Sequence, residues 1–162
     1  MNVNAKLPDQ AKIVTGLAPI TPSTSTPDYV SLKNYARATV IIMADNAATV
    51  TGSAITLKQA TAVAGTNEKA LAFTTMYANT DTGASDTLTA TAVTSNTFTT
   101  DTTNNKNLLY VIDIEADDLD VANSFDCIRA GTANAVNTAV SVLYILYGSR
   151  YQSPVAVAAI TD

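Results

Sequence analysis

Residues 138–148 read TAVSVLYILYG, and from Val140 to Tyr147 only Ser141 interrupts the apolar run. In an extended chain successive side chains point to opposite faces, so this segment is apolar on both. It is rich in β-branched and aromatic residues, which fit a pleated surface and crowd a helix. ARATVIIMA at 36–44 has the same character, centred on Val40 to Met43. Both read as central strands covered on two sides, by a second sheet or by a neighbouring subunit. Ile42, Val142 and Tyr144 are therefore expected to be nearly inaccessible.

Working outward, most other segments alternate with period two. DYVSLK sets Tyr29, Ser31 and Lys33 against Val30 and Leu32, and SAITLKQA sets Ile55 and Leu57 against Thr56 and Lys58. LLYVIDIE places Leu108, Tyr110, Ile112 and Ile114 on one face, with Asp113 and Glu115 opposite. SDTLTATAVTSNTFTT alternates with Thr and reads as a solvated hairpin, while AVAGTNEKALAF has room for one helical turn near Asn67 to Ala70. MADNAATVTGS, ANTDTGASD, TDTTNNKN and RAGTANAVN supply the Gly, Asn and Asp that tight turns require. Many short strands at this spacing predict an all-β fold, an antiparallel β-sandwich or a jelly-roll-like single domain. Residues 1–27 read as an N-terminal arm and a Pro/Ser/Thr linker, stiffened by Pro19, Pro22 and Pro27, in which KIVTGL is able to add as an edge strand. Residues 28–150 form the sandwich domain and 151–162 an apolar C-terminal arm.

The 162 residues are one domain's worth, enough to bury about 68–70% of the unfolded surface. Charged residues make up only 14% against an average near 25%, while 47% are hydrophobic. The net charge is −5 and the nine Lys and Arg are scattered, which argues against nucleic acid as a partner. No apolar run of 18 residues exists, so no spanning helix and no membrane partner is expected. The start lacks the apolar core of a secretory signal, and Cys127 has no second cysteine to pair with, which fits folding in a reducing cytoplasm.

Chemistry is sparse. The chain has no His, which removes the commonest general base, the Ser-His-Asp and Cys-His arrangements and most transition-metal sites. Cys127 in SFDCIRAG has only Arg129 as a nearby cation and reads as a buried structural residue. In DIEADDLD the acids Asp113, Glu115 and Asp117 begin like a calcium loop. The sixth place is then Asp118 instead of Gly, and the twelfth is Ser124 instead of Glu. A solvated turn is the better reading. No catalytic residue, cofactor or metal ligand is assigned, and the chain is expected not to be an enzyme.

Three runs carry a resemblance: ITLKQATAVAGTNEKALAFTTMYANTDT, DTLTATAVTSNTFTTDT, and NLLYVIDIEADDLDVANSFDCIRAGTANAVNTAVSVLYIL. Together they resemble small β-rich virion proteins of tailed bacteriophages, encoded in the head module near the major capsid protein, and the likeness covers about residues 28–147. The resemblance implies a structural protein of the capsid decoration or cement type, made in the bacterial cytoplasm and ending on the capsid exterior. Its partners would be the major capsid protein and further copies of itself, as a trimer or another homo-oligomer. It brings no active-site residues.

Two alternatives stay open. One is a neck or tail subunit of the tube or terminator kind. The other is a carbohydrate- or receptor-binding module, for which Tyr77, Tyr147 and Tyr151 are the candidate aromatics. Apolar ends are costly to leave bare, because β-prone segments invite edge-to-edge association. The expected interface residues are therefore Ile13, Val14 and Leu17 near the start and Tyr151, Val155, Val157 and Ile160 near the end. SPVAVAAITD is expected to lie extended against another chain, with an edge strand of its own domain as the alternative.

Overall fold

A computed structural model describes residues 6–22, 26–150 and 159–160. A four-residue helix, α1 (Leu7–Gln10), leads into eleven strands: β1 (Ala11–Ile20), β2 (Val30–Ser31), β3 (Tyr35–Asn46), β4 (Ala54–Ala60), β5 (Lys69–Ala70), β6 (Thr75–Asn79), β7 (Thr89–Ala92), β8 (Thr97–Thr99), β9 (Lys106–Glu115), β10 (Cys127–Thr132) and β11 (Thr138–Ser149). Two single 3-10 turns, Ala116–Asp118 and Val121–Asn123, join β9 to β10.

The strands form two antiparallel sheets. The larger runs β1-β11-β3-β9-β6-β7 and the smaller β2-β10-β4-β5, with β8 also on β4. Setting aside the β6–β8 excursion, the remaining eight strands pair as a folded hairpin. First meets eighth (β1·β11), second meets seventh (β2·β10), third meets sixth (β3·β9) and fourth meets fifth (β4·β5). Those nested pairs roll across two faces through β11·β3 and β10·β4. This is the jelly-roll order, so of the two sandwich architectures expected, the chain adopts the rolled one.

The core lies between the sheets. Even-numbered residues of β3, β9 and β11 point inward, among them Val40, Ile42, Leu108, Ile112, Val142 and Leu146, and meet Val30, Ile55, Leu57 and Ile128 of the smaller sheet. Ile42 and Tyr144 are 0% exposed and Val142 is 1% exposed, as the sequence predicts. Each such aliphatic side chain contributes about 1.5–3 kcal/mol by leaving water. Tyr144 also ties the sheets together. Its hydroxyl accepts from the Ala130 amide (3.0 Å) and donates to the Asp28 carbonyl (3.2 Å). At one end Asn46, 1% exposed, donates to the Asp101 and Thr103 carbonyls and accepts from the Thr138 hydroxyl.

Four features differ from the sequence reading. Residues 67–70 hold no helical turn; Lys69 and Ala70 pair with Gln59 and Lys58, and β4 recruits them as its neighbour. The Thr-rich run 85–100 is not one hairpin, because β7 pairs with β6 in the larger sheet while β8 pairs with β4 in the smaller. Thr alternation is the same whichever sheet a segment joins, so the pattern does not choose. The N-terminal arm adds the expected edge strand, β1, but the strand runs past KIVTGL to take in Ala18–Ile20 of the proline run. Finally, the two-sided apolar strands are covered by the smaller sheet on their even-numbered face alone.

The predicted turn clusters fall at connections, and several residues there take left-handed backbone. Asn105 and Asn137 sit at φ 55°, and Gly52 at φ 71°, where an added Cβ would lie 2.7 Å from the Thr100 carbonyl oxygen. No helix among the described residues is long and apolar enough to cross a membrane.

Candidate assembly surface

The outward, odd-numbered face of the larger sheet is read in rows from the strand registers. One row runs Thr15–Leu143–Ile41–Val111–Tyr77 across β1, β11, β3, β9 and β6. On one side of it lies Ile13–Ile145–Thr39–Asp113, and on the other Ser141–Met43–Leu109–Asn79. The middle of the face is therefore aliphatic. Met43 is 54% exposed, Ile13 44% and Tyr77 42%, whereas Ile41, Leu109, Val111, Leu143 and Ile145 are half-buried by their neighbours.

Polar groups close both ends of the strands. At one end Arg37 forms an ion pair with Glu115 and lies over the Tyr147 ring, 6.0 Å from its centre. Asp113 there accepts from the Thr39 hydroxyl (2.5 Å) and the Tyr147 hydroxyl (3.4 Å). At the other end Asp45 and Asn107 are exposed. A shallow concavity of about 510 Å³ opens beside them, lined by Pro19, Met43, Thr82, Leu109 and Ser141 among others. An apolar centre with a polar rim has the composition of a protein-binding patch.

The outer side of the smaller sheet differs. Glu68 gathers an ion pair from Lys58, another from Arg129 at 2.9 Å and a hydrogen bond from the Tyr29 hydroxyl at 2.8 Å. The Lys58 ammonium and then the Tyr29 hydroxyl hold its carboxyl below the usual range. Arg129 stacks on Tyr29, 4.7 Å from the ring centre, so charges on this side are paired within the chain.

Other candidates resolve into structural roles. The Cys127 thiol is buried, and burial, followed by its hydrogen bond to Asp126, pushes its pKa up to about 12. It stays protonated near neutrality. The acids of DIEADDLD diverge: Asp113 and Glu115 turn to Thr39 and Arg37, Asp118 accepts from the Glu115 amide, and Asp120 pairs with Lys69. No cluster of three metal-ligating acids or cysteines occurs among the described residues.

The expected interface residues separate. Ile13 faces outward beside Ile145. Val14 pairs with Tyr144 and, like Leu17, is partly buried against the core. Ile160 exposes its side chain, but its carbonyl accepts from the Ser31 amide of the same chain (3.0 Å), and Ala159 packs on the core. Tyr151, Val155 and Val157 lie outside the described residues. Sequence reasoning sought the contact surface at the termini and passed over Ile41, Met43, Leu109, Val111, Leu143 and Ile145. For Ile41, Met43, Leu143 and Ile145 the signal is the second apolar face of 36–44 and 138–148; Leu109 and Val111 stand between the inward residues of LLYVIDIE. No family model, curated protein or solved structure matches the chain.

Proposed function

We propose that this chain is a non-enzymatic structural protein of a tailed-phage virion, of the decoration or cement type, that stabilises a head built from the major capsid protein. The observation that supports this most is the aliphatic outer face of the larger sheet, which has the composition of a surface for contact with another protein. The resemblance read from the sequence supports the same role, since the runs that carry it include β9 and β11, two strands of that face. On this reading the protein works through area and repetition. Each copy makes a modest contact, and attachment at many points of a lattice multiplies it.

The test is binding to heads assembled without the protein. Purified chain is expected to co-sediment with such heads, appear as regularly spaced density on their outer surface, and raise the temperature at which they rupture. Density confined to the neck or tail, or no binding at all, overturns the decoration reading.

A further inference from the structure

We infer that the aliphatic face of the larger sheet packs first against the same face of a second copy, about a two-fold axis that crosses the strands at Ile41. This rests on the reading of that face as an assembly surface and names its partner.

Size is the first argument. Five strands about 4.8 Å apart, with the longer ones running about 33–40 Å, give a face on the order of 800 Å², the per-partner area of a standard stable interface. A single strand or peptide covers a small part of that; a second sheet covers it all, as stacked sheets in sandwiches do.

Charge is the second. Arg37 and Asp45 both point outward from β3, four residues to either side of Ile41, and each lies at one end of the face. A two-fold axis across the strands runs the partner's β3 antiparallel over this one. Position 41 then meets position 41, and Arg37 of each copy lies nearest Asp45 of the other. Rotation about an axis along the strands would instead set Arg37 over Arg37 and Asp45 over Asp45. Arg37, already held by Glu115 of its own chain, is thus shared with Asp45 of the other copy in the first packing, while Glu115 lies over Asn107. The second packing sets the like charges of β3 face to face, so the rim favours the first. Sheet twist offsets the strands by about 30° and keeps the central row in contact.

The test is oligomeric mass by light scattering and sedimentation equilibrium across a dilution series. The wild-type chain is expected at twice its 16.9 kDa. R37D and D45R each set like charges together across the interface and are expected to weaken the dimer about tenfold or more. R37D also loses its own chain's pair with Glu115, and R37D/D45R together are expected to be tighter than either single variant. Both positions lie on the surface, and melting curves confirm that each variant is folded. A wild-type chain that is monomeric throughout, or a double variant no tighter than the singles, overturns the inference. The assembly reading is judged separately with Ile41→Arg. If a monomeric wild type binds heads and this variant does not, the face is an assembly surface with a different partner; if neither binds, that reading falls as well.

Discussion

Tyr144→Phe isolates one oxygen atom, and its cost follows from where that oxygen sits. The side chain belongs to β11 in the larger sheet and is 0% exposed. Ala130 belongs to β10 in the smaller sheet. The Leu57 amide opposite it bonds to Asn96 instead, so the Ala130 amide points away from β4. On that side β2 has already ended, having paired with Cys127 and Ile128 only. The Tyr144 hydroxyl stands where the next β2 carbonyl would be. Removing it leaves a buried amide without an acceptor, which costs about 1–3 kcal/mol, and takes a donor from the Asp28 carbonyl as well. A loss of about 2–3 kcal/mol is expected, with little change in packed volume. For a chain of this length that lowers Tm by about 4–12 °C. The assay is equilibrium urea unfolding beside two controls. Tyr144→Ala adds the ring's cavity and is expected to cost about 3–5 kcal/mol or more. Tyr147→Phe removes a hydroxyl whose contacts to Thr39 (3.3 Å) and Asp113 (3.4 Å) are longer and lie toward the surface, and is expected to stay within about 0.5 kcal/mol. A Tyr144→Phe chain as stable as Tyr147→Phe refutes the bridge between the sheets.

Two further outcomes are expected. Gly16→Ala places a Cβ into the Tyr144 ring, whose Cζ would be 3.1 Å away, and overpacking of that kind costs about 1–3 kcal/mol; a variant with wild-type Tm shows that β1 shifts freely. The second concerns alkaline pH. Burial raises the Cys127 thiol and the Tyr29 and Tyr144 phenols above their unfolded values, so folding favours the protonated forms. Their stability is fully present below about pH 8.5 for the thiol and about pH 10 for the phenols, and is lost as pH rises toward the folded values. Tm should therefore begin to fall near pH 8.5 in the wild type and only near pH 10 in Cys127→Ala, and identical onsets in the two chains would show that the thiol contributes nothing.

Local periodicity carried much of the fold. Period two in LLYVIDIE and SAITLKQA marks their inward residues, and the two-sided runs at 36–44 and 138–148 become neighbouring strands. What it does not carry is which strand meets which. Ala11 pairs with Tyr147 across almost the whole chain, and nothing in either segment's own pattern encodes that partner. Local pattern therefore does not separate sandwich from jelly roll; the strand pairing does. The same limit hid β5, a two-residue strand with no period of its own. It also hid the roles of the Asn46 and Tyr144 polar atoms, whose partners include groups 55, 92 and 116 residues away. The assembly surface was legible in part. The excess of apolar residues was plain, and choosing between a second sheet and a neighbouring subunit required knowing that only one side is covered.

The contrast between the two outer faces is the strongest physical reason to treat the bare one as a surface to be covered. A sheet that faces water on one side usually alternates apolar in and polar out. The smaller sheet does this: outward Lys58 and Arg129 are met by Glu68, and Thr56 bonds to Thr97 across strands at 3.0 Å. The larger sheet does it at its ends, where Arg37, Asp113, Glu115 and Asp45 stand, and at Thr15, Thr39 and Ser141. Between them the same odd-numbered register carries Ile41, Met43, Leu109, Val111, Leu143 and Ile145. Thr or Lys at those positions would keep strand, register and core, since the inward residues alone fill the sandwich. An isolated fold therefore gains little from the aliphatic side chains and carries the risk of unspecific association. With a partner sheet in place, each side chain fully covered contributes on the scale of a core residue, about 1.5–3 kcal/mol before ordering costs. The odd-numbered face is thus built like half of a core.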